Sequence, residues 1–137
     1  MSDPKKLSLH DTINHVKEFH EAFLIKNHDE PTLLPTKTEY ELRHRLMQEE
    51  NDEYLEACEK QNLTEVADAL GDQLYILCGT LLRHGLQYKI EDVFLEIQKS
   101  NMSKLDVNGK PIFREDGKVM KSELYFRPNI AKILEKK

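Results

Sequence analysis

The chain has 137 residues, 39% of them hydrophobic and 33% charged, and a formal net charge of −5 at pH 7. That length supports one sizeable core, and the composition excludes disordered and fibrous classes. The acidic balance argues against a nucleic-acid polymer as partner, and no apolar run is long enough to span a membrane.

The opening, MSDPKKLSLHDT, lacks the hydrophobic core of a secretory signal, so a cytoplasmic location is expected. LHDTINHVKEFHEAF then predicts a first helix over about residues 9–26, capped by Ser8 or Asp11, with Ile13, Val16, Phe19/His20 and Phe23 at helical spacing. NHDEPTLLPTKTEY carries two prolines and reads as a loop. Thr38 and Glu41 fit a capping box that opens a second helix running to about Lys60. Thr64 is the expected cap of a third helix, which ends near Arg83 with Gly85 just beyond. YKIEDVFLEIQKSNMSKL makes a fourth, with Ile90, Val93, Phe94 and Ile97 on one face.

The tail changes character. Asn108-Gly109 and Asp116-Gly117 bracket KPIFRE, which predicts a small hairpin or ordered loop, and RPNIAKILEKK adds a last helical turn. Four helices on short connections predict an all-α, four-helix bundle-like fold. One domain is expected over 1–137, its core at about 9–105 and a turn-rich extension at 106–137. Cys58 and Cys78 both fall among apolar residues and are expected to be buried thiols of a reducing compartment. His44 and His84 show no partner pattern and read as surface residues.

At about 100° per residue, the second helix puts Leu42, Leu46, Met47, Tyr54, Ala57 and Cys58 on one broad face. Glu50 and Glu53 fall inside that arc and Glu49 at its edge, whereas Arg45, Asp52, Glu56 and Glu59 lie opposite, where solvent would put them. The third helix is largely apolar through Val66, Ala67, Leu70, Leu74, Leu77, Leu81 and Leu82, yet Glu65, Asp68 and Asp72 stack within roughly 60° of one another. Converging carboxylates repel unless something cationic intervenes. Arg43 and Arg83 are the best-phased candidates for ion pairing, and a solvated groove or an intersubunit salt-bridge network would also serve. Hard divalent ions are the other solution, because oxygen-only ligation suits Mg²⁺ or Mn²⁺.

The pattern EENDE, eleven residues, then EVAD resembles the divalent-metal signature of the all-α nucleoside triphosphate pyrophosphohydrolases. These comprise MazG-like proteins, phosphoribosyl-ATP pyrophosphohydrolases and dimeric dUTPases. VKEFHEAF, RLMQEENDEYLEA and ADALGDQLYILCGT are similar to the family's first three helices, and SNMSKLDVNGKPIFREDGKVMKS to the tail of a phosphoribosyl-ATP pyrophosphohydrolase-like subgroup. The resemblance covers about residues 12–130 and implies a MazG-type fold.

Carried over by position, it implies metal ligation by Glu50, Glu53, Glu65 and Asp68, with Glu49 a further ligand or the base that orients the attacking water. Asp72, outside the minimal motif, is expected to serve an outer-shell water or another metal. Lys104 and Asn101 are the expected phosphate contacts, with Lys99, Lys118, Lys121 and Arg127 behind them. Phe19, His15 and Tyr75 could contact a base.

The implied reaction splits a nucleoside triphosphate between its α and β phosphates, in nucleotide-pool housecleaning. Phosphoribosyl-ATP, dUTP and dCTP remain alternative substrates, and a non-catalytic nucleotide- or metal-binding helical module is the alternative of another class. Broad apolar arcs on helices two and three, together with the resemblance, imply a homodimer or homotetramer.

Overall fold

A computed structural model describes residues 6–136, so the first five residues of the stretch read for a secretory signal lie outside the described residues. The described residues form five helices: α1 (Leu9–Ala22), α2 (Lys37–Glu59), α3 (Leu63–Arg83), α4 (Ile90–Met102) and α5 (Ile130–Glu135). The class is all-α; among the described residues the one β feature is an isolated antiparallel bridge, Phe113 to Val119. Two compact units divide the chain after Gln87.

In the first unit α3 is the central helix, and both α1 and α2 pack against it. Its core holds Ile13 and Val16 of α1, Ala57 of α2, Ala69, Cys78, Leu81 and Leu82 of α3, and Leu34 from the loop. Each large aliphatic side chain so buried stabilises the unit by about 1.5–3 kcal/mol.

The caps differ from expectation at three ends. Helix α1 stops at Ala22, not near residue 26, because Leu24 turns to φ 60° and the Ile25 and Leu24 amides bond back to His20 and Glu21. Ser8 is its cap, in a capping box with Asp11. KTEYE admits two capping registers, and the structure uses Thr36 with Glu39 rather than Thr38 with Glu41. Glu39 decides it, since one carboxylate oxygen bonds Thr36 while the other meets Arg83 at 2.9 Å. Asn62, not Thr64, caps α3, accepting the Glu65 amide at 3.1 Å.

Gly85 does end α3 as expected: at φ 65° its amide bonds Leu82 and that of Leu86 bonds Leu81. A side chain there would meet the Glu30 carbonyl oxygen at 2.0 Å, so the loop after α1 can cross the helix end only over glycine.

Burial on the expected apolar arcs is sparse. On α2 only Arg43 and Ala57 are buried; Leu42, Tyr54 and Cys58 are exposed, which corrects the reading of Cys58 as a core thiol. On α3, Leu70, Leu74 and Leu77 stay 46–48% exposed. Phe19 of α1 and Phe23, which caps its C-terminal end, are likewise open, whereas His20 is buried.

In the second unit α4 packs against α5. The tail is pinned to the end of α4 by hydroxyls: Ser100 Oγ donates to the Phe126 carbonyl (2.7 Å), Ser103 Oγ accepts the Phe126 amide (3.1 Å), and Ser122 Oγ sits between the Ser103 and Leu105 carbonyls. The expected hairpin is there, closed by Met120 N–H to Ile112 (2.7 Å) and Arg114 N–H to Lys118 (2.8 Å). The face expected from Ile90, Val93, Phe94 and Ile97 leaves Phe94 and Ile97 exposed.

Candidate active site

The link of residues 60–62 is a tight reversal: Gln61 takes φ 54°, and the Asn62 amide closes α2 onto Ala57 while the Asn62 side chain opens α3. The two helices then run back along each other, with Ala57 and Ala69 buried where they approach. This brings the acids of α2 opposite those of α3. Glu50, Glu53 and Asp72 each offer a carboxylate oxygen within 4.8 Å of the others'. Beside them a cleft of about 260 Å³ is lined by Glu53, Glu56, Ala57, Lys60, Glu65, Asp68 and Ala69. Glu65 stands in the first turn of α3, where its backbone amide is held by Asn62.

Glu50 feels this arrangement most. Desolvation, then a hydrogen bond and charge from Glu53, then the charges of Asp72 and Asp68, push its carboxyl up to about 7. Its Oε2 is shut off from solvent and has no hydrogen-bond partner. The carboxyl is therefore asked to give up either its charge or its isolation. Gln73 of α3 reaches across to the backbone carbonyl of Glu50 and to Asn51 Oδ1, both at 3.3 Å, and fixes α2 against α3 at this level.

Ion pairing does not relieve the cluster. Among the described residues no salt bridge reaches Glu50, Glu53, Asp68 or Asp72. Arg83 instead pairs with Glu39, and Arg43 donates to Thr80 Oγ1 and the Ile76 carbonyl, both at 3.1 Å. Both arginines are buried beside His20, whose imidazole is lowered from its usual range by burial and by the two guanidinium groups. An all-oxygen donor set with a sequestered, unpaired carboxylate oxygen fits a hard divalent cation. Glu50, Glu53 and Asp72 could hold such an ion, with Asp68 and Glu65 in the adjoining cleft.

Of the other expected site residues, Glu49 is exposed on α2 and is not one of the three clustered acids. Asp72, ranked lowest from the sequence, is the α3 acid brought closest to Glu50 and Glu53. Phe19 and Tyr75 meet edge to face at 5.7 Å, both partly open to solvent, while His15 lines a separate groove with Leu7, Asp11, Asn14 and Glu18. Asn101 and Lys104 belong to the second unit, at the end of α4, where the Lys104 amide bonds the Asn101 carbonyl. Lys60 and Gln73 carry no motif and went unread; the turn after LEACE was the available signal for Lys60.

The family model for phosphoribosyl-ATP pyrophosphohydrolase matches residues 16–101, more than half of the chain. The chain belongs to this family. As a family member it is a hydrolase of phosphoric anhydrides, within the all-α nucleoside triphosphate pyrophosphohydrolases. The matched segment of this pyrophosphohydrolase contains Glu49, Glu50, Glu53, Glu65, Asp68 and Asp72 and ends at Asn101, short of Lys104. A crystal structure at 1.78 Å of "a putative NTP pyrophosphohydrolase" from Exiguobacterium sp. 255-15 is similar at 24% identity, covering 95% of each chain with a TM-score of 0.47. No curated protein matches.

Proposed function

We propose that this pyrophosphohydrolase is a Mg²⁺-dependent enzyme that cleaves a nucleoside triphosphate between its α and β phosphates, releasing the monophosphate and pyrophosphate, in nucleotide-pool housecleaning in the cytoplasm. Mn²⁺ is expected to substitute. The observation that carries the reading is Glu50: a carboxylate pushed to about 7 by desolvation and by its acidic neighbours, with one oxygen sequestered and unpaired, calls for a cation that no side chain among the described residues supplies.

Glu50, Glu53, Asp72, Asp68 and Glu65 would hold the divalent ions, which when bound offset charge on phosphate oxygens and lower the pKa of water. Glu49, exposed one residue from Glu50, is free to accept a proton from the attacking water. Phe19 and Tyr75 offer a partly open aromatic surface to a base, and Asn101 and Lys104 suit phosphate oxygens.

Phosphoribosyl-ATP is the second reading of the substrate, favoured by the family model that matches. A homodimer or homotetramer is part of the proposal, supported by the half-exposed Leu70, Leu74 and Leu77 and by an α2 that buries only Arg43 and Ala57. Pyrophosphate release from canonical and modified nucleoside triphosphates and from phosphoribosyl-ATP, each with Mg²⁺, Mn²⁺ or EDTA, tests the reaction. Metal-dependent release from one nucleotide class is expected. Silence across the panel, with Mg²⁺ still raising thermal stability, would point instead to a non-catalytic metal-binding module.

A further inference from the structure

The cleft beside the carboxylate cluster has one cation among its lining residues. Glu53, Glu65 and Asp68 face it from α2 and α3, and Lys60, the C-cap of α2, stands with them. Its Nζ lies 2.9 Å from Glu56 Oε1 on the preceding turn, and Glu56 and Glu65 together favour its charged form. With the side chain 59% exposed, this is a solvent-facing i,i+4 pair of the kind that contributes little to stability and exchanges partners readily.

A Mg²⁺ ion held by one or two carboxylates keeps coordination positions for substrate phosphates, so a polyphosphate drawn to Glu53, Glu65 and Asp68 shares the cleft with Lys60. We propose that Lys60 binds the polyphosphate chain of the substrate, leaving Glu56 for a phosphate oxygen when the nucleotide enters. This rests on the hydrolase reading of the same site. In the substrate-free protein the ammonium opposes an incoming divalent cation; beside the bound polyphosphate it adds a charge-assisted hydrogen bond. The two effects have opposite signs, which separates substrate binding from a merely structural role.

Helix α2 supplies its own control. Lys37 and Glu41 form a second exposed i,i+4 pair, at 3.6 Å, at the far end of the helix, about 35 Å away by helical rise. Lys37→Gln changes the net charge as Lys60→Gln does but leaves the cleft untouched. Titration calorimetry on the full chain would measure Mg²⁺ alone, then inorganic pyrophosphate at saturating Mg²⁺. Lys60→Gln should leave Mg²⁺ affinity unchanged or tighten it up to threefold, and should weaken pyrophosphate binding about tenfold. Lys60→Arg should restore most of that loss, and Lys37→Gln should match the parent in both titrations. Pyrophosphate affinity equal to the parent's in Lys60→Gln, or weaker Mg²⁺ binding, overturns the assignment. If the parent chain itself takes up no Mg²⁺, the hydrolase reading fails first and Lys60 falls with it.

Discussion

Replacing Glu50 with Gln should stabilise the metal-free protein at pH 8. In the folded chain the Glu50 carboxyl titrates at about 7 against an ordinary 4.5, so between those values the folded state binds more protons than the unfolded one. Stability therefore falls as pH rises through that window, fully present below about 4.5 and lost above about 7. That displacement from 4.5 to about 7 corresponds to at most roughly 3 kcal/mol. Glu50 is only half-buried, and solvent screening reduces this to about 1–2 kcal/mol. Gln imitates the protonated form, including a donor toward Glu53. The apo variant should thus melt roughly 3–8 °C above the parent at pH 8, and the gap should close at pH 5. The parent should also gain stability from Mg²⁺ that the variant largely forfeits. Thermal melts at both pH values, with EDTA and with Mg²⁺, make the test. An apo variant less stable than the parent at pH 8, or a gain equally large at pH 5, would falsify the account of Glu50 as an uncompensated charge.

Glu53→Gln is expected to abolish metal-dependent pyrophosphate release while the circular dichroism spectrum stays that of the parent; an unfolded variant or full turnover counts against its role as a ligand. The two glycines of α3 should respond with opposite signs. Gly71 has open space around it, so Ala there should add about 0.5–1 kcal/mol, whereas Ala at Gly79 would sit 2.8 Å from both Arg43 Nη2 and His20 Nε2 and should cost about 1–3 kcal/mol in denaturant unfolding. His20, lowered from 6.5, works against Glu50: its contribution is complete above about pH 6.5 and is lost as pH falls below that, since the unfolded state then takes up the proton that the folded state refuses. In Glu50→Gln the stability curve should accordingly fall monotonically from pH 7 to 5, and a rise over that range refutes the assignment to His20.

The helices were legible because apolar spacing recurs along α1 to α4 and Gly85 closes α3, even though the caps of α2 and α3 fell at other residues. Boundaries failed where the decisive residue was not a typical stop. Leu24 and Gln61 both adopt positive φ at helix ends, a task usually given to glycine, so nothing in EAFLIK marks the end of α1. The capping register at Thr36 depends on Arg83, 44 residues beyond Glu39, and no local pattern could choose it. The approach of acids from α2 and α3 was legible in the wheel phase of Glu50 and Glu53, although Glu56, assigned to the opposite face, lines the cleft beside Glu53. Their ranking was not, because Asp72 owes its proximity to the register of α3 on α2, which Gln73 and the small pair Ala57 and Ala69 help to fix. Arg43 and Arg83, the best-phased candidates had the acids been ion-paired, do turn inward, but their partners are Thr80, Ile76, Lys26 and Glu39.

The same facts bear on how the cleft is held. A helix of 23 residues whose buried positions are an arginine and an alanine gains little from hydrophobic burial of its own. Besides the small Ala57 and Ala69 contact, what joins α2 to α3 near the acids is polar: the Gln73 amide on the Glu50 carbonyl, and further up Arg43 on Thr80 and Ile76. Against these stands the mutual repulsion of Glu50, Glu53, Asp68 and Asp72 across the seam. Such a seam is closed or loosened by whatever neutralises those charges. Proton uptake by Glu50 and cation binding are then alternative ways of closing one helix pair, so acid and Mg²⁺ should compete for the site, with Mg²⁺ affinity falling as pH drops through 7. An affinity constant from pH 8 to pH 6 would mean that Glu50 is no ligand and that its sequestered oxygen has another explanation.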